Sequence, residues 1–339
     1  MSNTNFMKAG RSAMEKEDHC MQYRPLGSSG INASVVGFGA GAVGTDPNRD
    51  AENISAIQAA LDAGINLIDT APVYSFGRSE ELVRKAVVGR RRDVVIASKC
   101  GLVWDSAKGV HHLHYQGKAI YRYLAPESIR HEIEQSLTRL CTDYIDLYQT
   151  HWPDPTTPLE DTIEELLKLK DEGKICAIGV SNVTTELLDD YSKRTHIESD
   201  QEHFSMLHRD ISSDMLPYCL ENNIAVLAYS PLEQGLLSGK LGPDVELAQN
   251  DPRLGNLNFS VENRHRIAAV MAESEEVARV HGITCAQLAI AWTHSFPGLT
   301  HVIAGASSPA QAIQNAHAGS VVLTQEELAT INAAIEKYL

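Results

Sequence analysis

The stretch ISAIQAALDAGINLIDTA, Ile54 to Ala71, changes its period halfway along. Ile54, Ile57 and Leu61 recur at three- and four-residue steps, which predicts a helix over Asp50–Ala63 with one buried face. Gly64 follows as a stop, because glycine accepts the left-handed conformation that ends many helices. Ile65–Ile68 is then a short β-rich run, and its first polar residue is Asp69. Helix, glycine and buried strand ending in a polar residue make one αβ step, and the chain repeats it.

Outward from that step, Val35–Phe38, Val94–Ala97, Ile145–Tyr148, Ala177–Val180, Ser199–Glu202, Ala225–Tyr229 and His301–Ile303 also read as strands. Helical periods fill the spaces at Ser79–Val88, Pro126–Leu140, Leu159–Glu172, Thr185–Tyr191, Met215–Asn222, Glu262–His281, Thr284–His294 and Pro309–Asn315. Apolar strands alternating with helices imply a parallel sheet covered on both faces. Eight such units predict an α/β protein of the (β/α)8 TIM barrel type, a single domain over 21–339. Gln22–Ile31, with Gly27 and Gly30, reads as an N-terminal β-hairpin able to plug the barrel floor, and Thr324–Tyr338 as one additional C-terminal helix. Residues 1–20 read as a flexible leader. Three connections, 101–125, 152–158 and 231–262, are long, and long loops in a compact domain are usually functional. Loops after strands form the active face of such a barrel, so the first and third are expected to shape a substrate pocket.

Composition narrows the function. With 44 acidic against 29 basic residues the formal charge is −15, which opposes binding to nucleic-acid phosphates. There is no run of 18 apolar residues to cross a membrane and no apolar secretory core near the start. Six cysteines without a C-x-x-C pair read as reduced thiols of a cytoplasmic protein. Gly39-Ala40-Gly41-Ala42-Val43-Gly44 matches the dinucleotide pattern G-x-G-x-x-G, but a phosphate-binding turn needs a helix opening at the glycines. Here Thr45-Asp46-Pro47-Asn48 intervenes, so flexible backbone at the barrel mouth is the better reading.

Polar residues follow several buried strands directly. Asp69, Lys99 and His151 each lie just beyond a strand, and Tyr74 sits five residues past Asp69. A closed parallel barrel brings these strand ends to one rim. Carbonyl reduction needs a hydride at carbon and a proton at oxygen. A tyrosine, with a pKa of about 10, is a weak donor at neutrality unless a neighbouring cation stabilises its phenolate. Lys99 is that cation, Asp69 neutralises it, Tyr74 is the acid and His151 polarises the carbonyl oxygen. No metal is required. Singly, each residue has an ordinary structural explanation: a strand-end aspartate often caps the next helix. The joint pattern carries the chemistry.

The stretches Asn66–Ala71, Val73-Tyr74 with Gly77–Glu80, Ala97-Ser98-Lys99, and Asp143–Tyr148 leading to His151-Trp152-Pro153 resemble those of aldo-keto reductases. So do Ile178–Asn182, Ala228–Leu232 with Gly235–Lys240, and Gly305-Ala306-Ser307. The similarity runs from about Tyr23 to Leu339. It implies a nicotinamide-dependent barrel reductase with the tetrad Asp69, Tyr74, Lys99 and His151. It further implies that Ser181, Asn182 and Gln201 hold the nicotinamide carboxamide and that Tyr229 stacks on its ring. Ser230, Leu232, Gly235 and Lys240 would follow the pyrophosphate, and Gly305, Ser307, Gln311 and Asn315 the adenosine end. Many family members set a lysine and an arginine against the 2′-phosphate, where this chain has Gly305 and Gln311. Ser307 with Gln311 and Asn315 is similar to the potassium-channel β-subunit branch, in which serine and glutamine face that phosphate. NADP(H) is therefore the expected cofactor, with NAD(H) as the alternative.

The loop after the third strand holds Trp104, His111, His112, His114, Tyr115, Tyr121 and Tyr123. Trp104, His112 and Tyr123, with Trp152 beside the tetrad histidine, are expected to line a polar substrate pocket. The three histidines lack a neighbouring cysteine or carboxylate to complete a metal set. The resemblance to bacterial sugar and inositol-related branches favours a sugar-derived carbonyl, such as an oxidised glucose of the 6-oxo type. The rival function is a cofactor-binding regulatory subunit like the channel β subunits. Oligomeric state is left open.

Overall fold

A computed structural model describes residues 20–248, 251 and 253–339. Of the expected leader only Cys20 is described; 1–19 lie outside. The chain opens with an antiparallel hairpin, β1 (Tyr23–Pro25) and β2 (Asn32–Ser34), a little longer than the turn signals suggest. The barrel strands follow as β3 (Val36–Gly39), β4 (Leu67–Asp69) and β5 (Val95–Cys100). Three short strands, β6 (Leu102–Val103), β7 (Val110–Tyr115) and β8 (Lys118–Arg122), interrupt them. The barrel resumes with β9 (Ile145–Thr150), β10 (Ile175–Ser181), β11 (Ser199–His203), β12 (Ala225–Tyr229) and β13 (Leu299–Gly305). These eight pair in parallel in chain order, and β13 closes on β3.

Strand periodicity sorts the core. Leu67, Val95, Ala97, Leu147, Ala177, Ala225, Leu227 and Ile303 point into the barrel and pack with Leu26 and Ala33 of the hairpin, which plugs the floor as expected. Ile68, Ile96, Tyr148, Ile178, Val180, Val226 and Val302 point out and meet the helices in a second, larger cluster. The helices are α1 (Asp50–Asp62), α2 (Arg78–Ala86), α3 (Pro126–Leu140), α4 (Leu159–Asp171), α5 (Thr185–Ser192) and α6 (Met215–Glu221). Then come α7 (Val261–Glu273), α8 (Glu275–His281), α9 (Cys285–Ser295), α10 (Pro309–Ala318) and α11 (Gln325–Tyr338). Burying helix faces against the outer strand residues contributes roughly 1.5–3 kcal/mol per large apolar side chain.

Two expectations change. The helix expected over 262–281 is two helices, because buried Ser274 ends α7 with its hydroxyl on the carbonyl of Val270 (2.9 Å). The loop over 101–125 carries its own three-stranded antiparallel sheet. Gln116 and Gly117, both at positive φ (46° and 80°), join Tyr115 to its partner Lys118 as the two-residue turn that suits a hairpin. The glycines at 39–44 open no helix: a short 3-10 turn, Pro47–Arg49, separates them from α1.

Candidate functional site

Inward-facing positions continue upward from the barrel core with a period of two. Above Leu67 stands Asp69, above Ala97 stands Lys99, and above Leu147 come Gln149 and His151. Parallel pairing in register sets Gly39 beside Asp69 and Asp69 beside Ala97. The strand ends therefore meet on one rim, and Tyr74 folds back over it from a 3-10 turn at Tyr74–Gly77.

The four tetrad residues come together there. Lys99 Nζ lies 2.8 and 2.7 Å from the two oxygens of Asp69, 3.1 Å from the carbonyl of Thr70 and 3.3 Å from Tyr74 Oη. The Lys99 side chain is wholly buried. The Tyr74 and His151 rings are edge-on with centroids 5.7 Å apart. Burial works to strip Lys99 of its proton, but Asp69, then Tyr74, outweigh it, and the ammonium pKa stands above its ordinary value. The phenol of Tyr74 is pushed up by burial, pulled down by Lys99 and pushed up again by Asp69, with a net rise. A neighbouring ammonium alone would give the net fall expected from the sequence; desolvation of the phenolate, which the sequence does not display, reverses it. His151 is driven well below its ordinary value by burial first and Lys99 second, so its imidazole is neutral. No side-chain hydrogen bond ties that ring among the described residues, and it lies edge-on beside Tyr74.

A second polar set adjoins the first. Gln201 Nε2 donates to Asp69 Oδ2 (2.9 Å). Ser181 Oγ donates to the Gln201 carbonyl (2.7 Å), and Asn182 Nδ2 donates to Ser181 Oγ (2.9 Å) and the His151 carbonyl (3.0 Å). Tyr229 Oη donates to Asn182 Oδ1 (2.8 Å). Asn182 and Ser230 both hold left-handed backbone, φ 57°. Leu232 and Gly235 lie in the turn after β12, and Lys240 beyond it is exposed, with no ion pair among the described residues. On the far side of the rim, Gln311 Oε1 accepts from Ser307 N and Oγ (2.8 and 2.7 Å), and Asn315 Nδ2 donates to the Gly305 carbonyl (3.0 Å).

The expected pocket residues divide. His112 meets Trp152 with ring centroids 4.9 Å apart, and Trp104 meets Phe76 at 5.4 Å. Trp104 also lines a separate hollow of about 330 Å³ with Tyr123, whose hydroxyl donates to Glu127 of α3 (2.6 Å). Tyr123 is thus turned to the outside of the barrel, away from the tetrad. The strands of the extra sheet explain the split, since alternate residues face opposite sides. His111, His114 and Tyr121 cluster on one face, while Lys118 lies over Phe76 (4.4 Å) on the other. Among the described residues no group of three histidine, cysteine or acidic side chains is placed to hold a metal, and no helix is long and apolar enough to cross a membrane.

Three residues near the site escaped the sequence argument. Arg49 reaches the carbonyl of Ser307 (2.6 Å), and His203 and Glu233 pair beside Tyr229 (2.7 Å). His203 carried a signal: it is two residues past Gln201 on the same strand and so shares its inward face. Arg49 and Glu233 sit in turns, where spacing carries no such information.

The chain was compared with known proteins. Residues 35–336 match the model of the Aldo/keto reductase family. An NADH-specific methylglyoxal reductase of Escherichia coli (strain K12) is 37% identical over 91% of this chain and 96% of its own length. The solved glycerol dehydrogenase of Gluconobacter oxydans is 34% identical, with a TM-score of 0.85 over 94% of this chain and 95% of that one. An aldo/keto reductase of Klebsiella pneumoniae, solved with NADP and acetate, is 31% identical, with a TM-score of 0.68 over 91% and 92%. A closed eight-strand barrel, a buried lysine–carboxylate pair under a tyrosine, and matches along almost the whole length agree with one another: this chain is an oxidoreductase belonging to the aldo/keto reductase family.

Proposed function

We propose that this chain reduces the carbonyl of a small, polar, sugar-like aldehyde or ketone to the alcohol, with a nicotinamide dinucleotide as hydride source and Tyr74 as proton donor. The observation that carries the reading is the contact of Tyr74 Oη with an ammonium that itself sits on both oxygens of Asp69. Side-chain amides and hydroxyls of Ser181, Asn182 and Gln201 beside the flat ring of Tyr229 suit a nicotinamide carboxamide and ring. When bound, that group supplies hydride to the carbonyl carbon. The rest falls to the chain. The neutral imidazole of His151 holds the carbonyl oxygen by an N–H and draws charge onto it. Tyr74 Oη gives that oxygen its proton, and Lys99 stabilises the phenolate left behind. Asp69 keeps Lys99 charged through the cycle, and Gln201 steadies the second oxygen of Asp69.

NADP(H) is the cofactor we favour. Ser307 and Gln311 present a polar turn at the start of α10 with Arg49 against it, and the Klebsiella pneumoniae relative holds NADP. The NADH-specific relative makes NAD(H) the alternative. The relatives' names point to small oxygen-rich substrates, methylglyoxal and glycerol, and His112 with Trp152 gives a polar aromatic wall for one. The test is loss of dihydronicotinamide absorbance with methylglyoxal, glyceraldehyde and aldehydic sugars, including 6-oxo-glucose. Turnover with at least one of them is expected. Tight cofactor binding with no turnover on the whole panel would instead favour a regulatory subunit.

A further inference from the structure

Behind Tyr229, on the side of the rim where β11 ends, three rings lie in a stack. Tyr229 and His203 have centroids 5.2 Å apart and planes 12° from parallel. His203 and His208 follow at 4.0 Å and 14°. The stack is fixed by one buried carboxylate. Glu233 Oε1 lies 2.7 Å from His203 Nε2 and accepts from Ser205 Oγ at 2.6 Å. Its side chain is 9% exposed.

The same carboxylate belongs to an unusual turn. Between Tyr229 and Leu236 three residues other than glycine hold left-handed backbone: Ser230 (φ 57°), Glu233 (45°) and Gln234 (52°). Each such residue is strained and persists only where surrounding contacts over-determine it. Local backbone bonds supply part of that: Glu233 N donates to the Ser230 carbonyl (3.0 Å) and Gly235 N to the Leu232 carbonyl (2.8 Å). The side chain of Glu233 supplies the tie across the rim, from the turn after β12 to the end of β11. Strain concentrated at one turn points to a conformation kept for its use.

We propose that His203 and Glu233 are positioning residues that hold the Tyr229 ring and the turn after it in the conformation that receives the nicotinamide dinucleotide. The proposal rests on the reading above that Tyr229 and Ser230, Leu232 and Gly235 face that cofactor. One hydrogen-bonded brace sets both elements at once: His203 stacks on the ring, and Glu233 curls the turn. The tetrad is held by bonds among Lys99, Asp69, Tyr74 and Gln201, none of which is made by His203 or Glu233. Loss of the brace therefore loosens cofactor binding and leaves proton delivery intact.

The experiment is a fluorescence titration of the whole chain with NADPH and with NADH, alongside steady-state kinetics on a small aldehyde. For His203→Ala and Glu233→Ala the cofactor Kd rises at least tenfold. At saturating cofactor, kcat and the KM for the aldehyde stay within about threefold of the parent. Glu233→Gln keeps an acceptor for Ser205 and a partner for the imidazole, and it recovers most of the lost affinity. The double variant is no weaker than either single one, because both remove the same brace. An unchanged Kd in folded His203→Ala, or a loss confined to kcat, overturns the proposal. Where His203→Ala does not fold, His203→Phe, which keeps a stacking ring but breaks the bond to Glu233, gives the same two readouts. A parent chain that binds neither cofactor sinks the assigned function; a parent that binds and brace variants that bind equally well sink the brace alone.

Discussion

Arg49, at the entry to α1, donates to the carbonyl of Ser307 across 258 residues of chain, at 2.6 Å. Its Nε and Nη2 also lie 3.0 and 2.9 Å from one oxygen of Glu52, and Nη1 makes no hydrogen bond among the described residues. Ser307 in turn is locked to Gln311 at the start of α10. Gly305 and Gln311 carry no charge, so in the proposed reading, where Ser307 and Gln311 face the adenosine end, Arg49 is a cation bonded to that turn. Hydrogen bonds to charged groups contribute about 1.5–3 kcal/mol, or roughly ten- to a hundredfold in affinity. Arg49→Ala should raise the Kd for NADPH by about that factor and leave NADH nearly unchanged, whereas Glu52→Gln should improve NADPH. Titration of both variants with both cofactors is the check, and an unaltered NADPH-to-NADH ratio in Arg49→Ala refutes the role.

In the proposed reaction Tyr74 is the group from which the proton leaves. A general acid typically contributes about 10²–10⁴-fold. Tyr74→Phe removes the hydroxyl and keeps the ring that packs against the apolar cluster of Ala71, Val73, Leu102 and Ile120. Reduction should fall by at least about a hundredfold, with the cofactor Kd within about twofold of the parent. Turnover at the parental rate would remove Tyr74 from the mechanism.

The same site sets a pH profile. The Tyr74 phenol lies above its ordinary value of 10.0, so it keeps its proton throughout the neutral range. His151 lies well below 6.5, so it stays neutral as pH falls through 6.5. Lys99 remains an ammonium because its pKa is raised. All three groups hold the form that reduction uses between about pH 6 and pH 9. The expected kcat/KM for aldehyde reduction is flat across that window. A limb with a midpoint near 6.5 would show that a histidine must change charge during the reaction, contrary to the role given to His151.

Legibility followed periodicity. The strand runs and their polar exits placed Asp69, Lys99 and His151 on one rim because a residue two steps above a buried inward side chain is also inward. Tyr74 was legible from its nearness to Asp69. What spacing could not display was the effect of burial. The phenol rises where a nearby cation alone would lower it, and only atoms packed in three dimensions decide which effect wins. The sheet in 101–125 was missed for another reason. Its decisive turn is Gln116-Gly117, a weaker hairpin pair than Asn-Gly, among residues without a clean apolar alternation. Tyr123 was grouped with Trp104 and His112 because all three share a loop, but β8 turns its end towards α3. Arg49 and Glu233 sit in turns and make contacts that cross the rim, which no local pattern marks, while His203 was marked only by sharing the inward face of Gln201.

One buried acid ties the extra sheet to the barrel, and it carries a stability signature. Gly101 N lies 3.0 and 3.1 Å from the two oxygens of Glu132, at the point where the chain leaves β5 for the sheet beside the site. Burial pushes the Glu132 carboxyl up to about 8, only partly offset by that N–H and by Ser128. Between its ordinary value of 4.5 and about 8 the folded chain keeps a proton that the unfolded chain has released. The unfolded state then binds fewer protons than the folded one, so stability falls as pH rises through this window and levels off above it. Glu132→Gln keeps an acceptor for Gly101 and cannot ionise. The parent should lose stability between about pH 5 and pH 8 relative to the variant, with the gap opening steadily across the window. Urea midpoints for both proteins at several pH values measure it, and because every other titrating group is shared, the difference isolates Glu132. Parallel curves would mean that Glu132 titrates alike in the folded and unfolded chains and that its carboxyl is not held neutral at the base of the sheet.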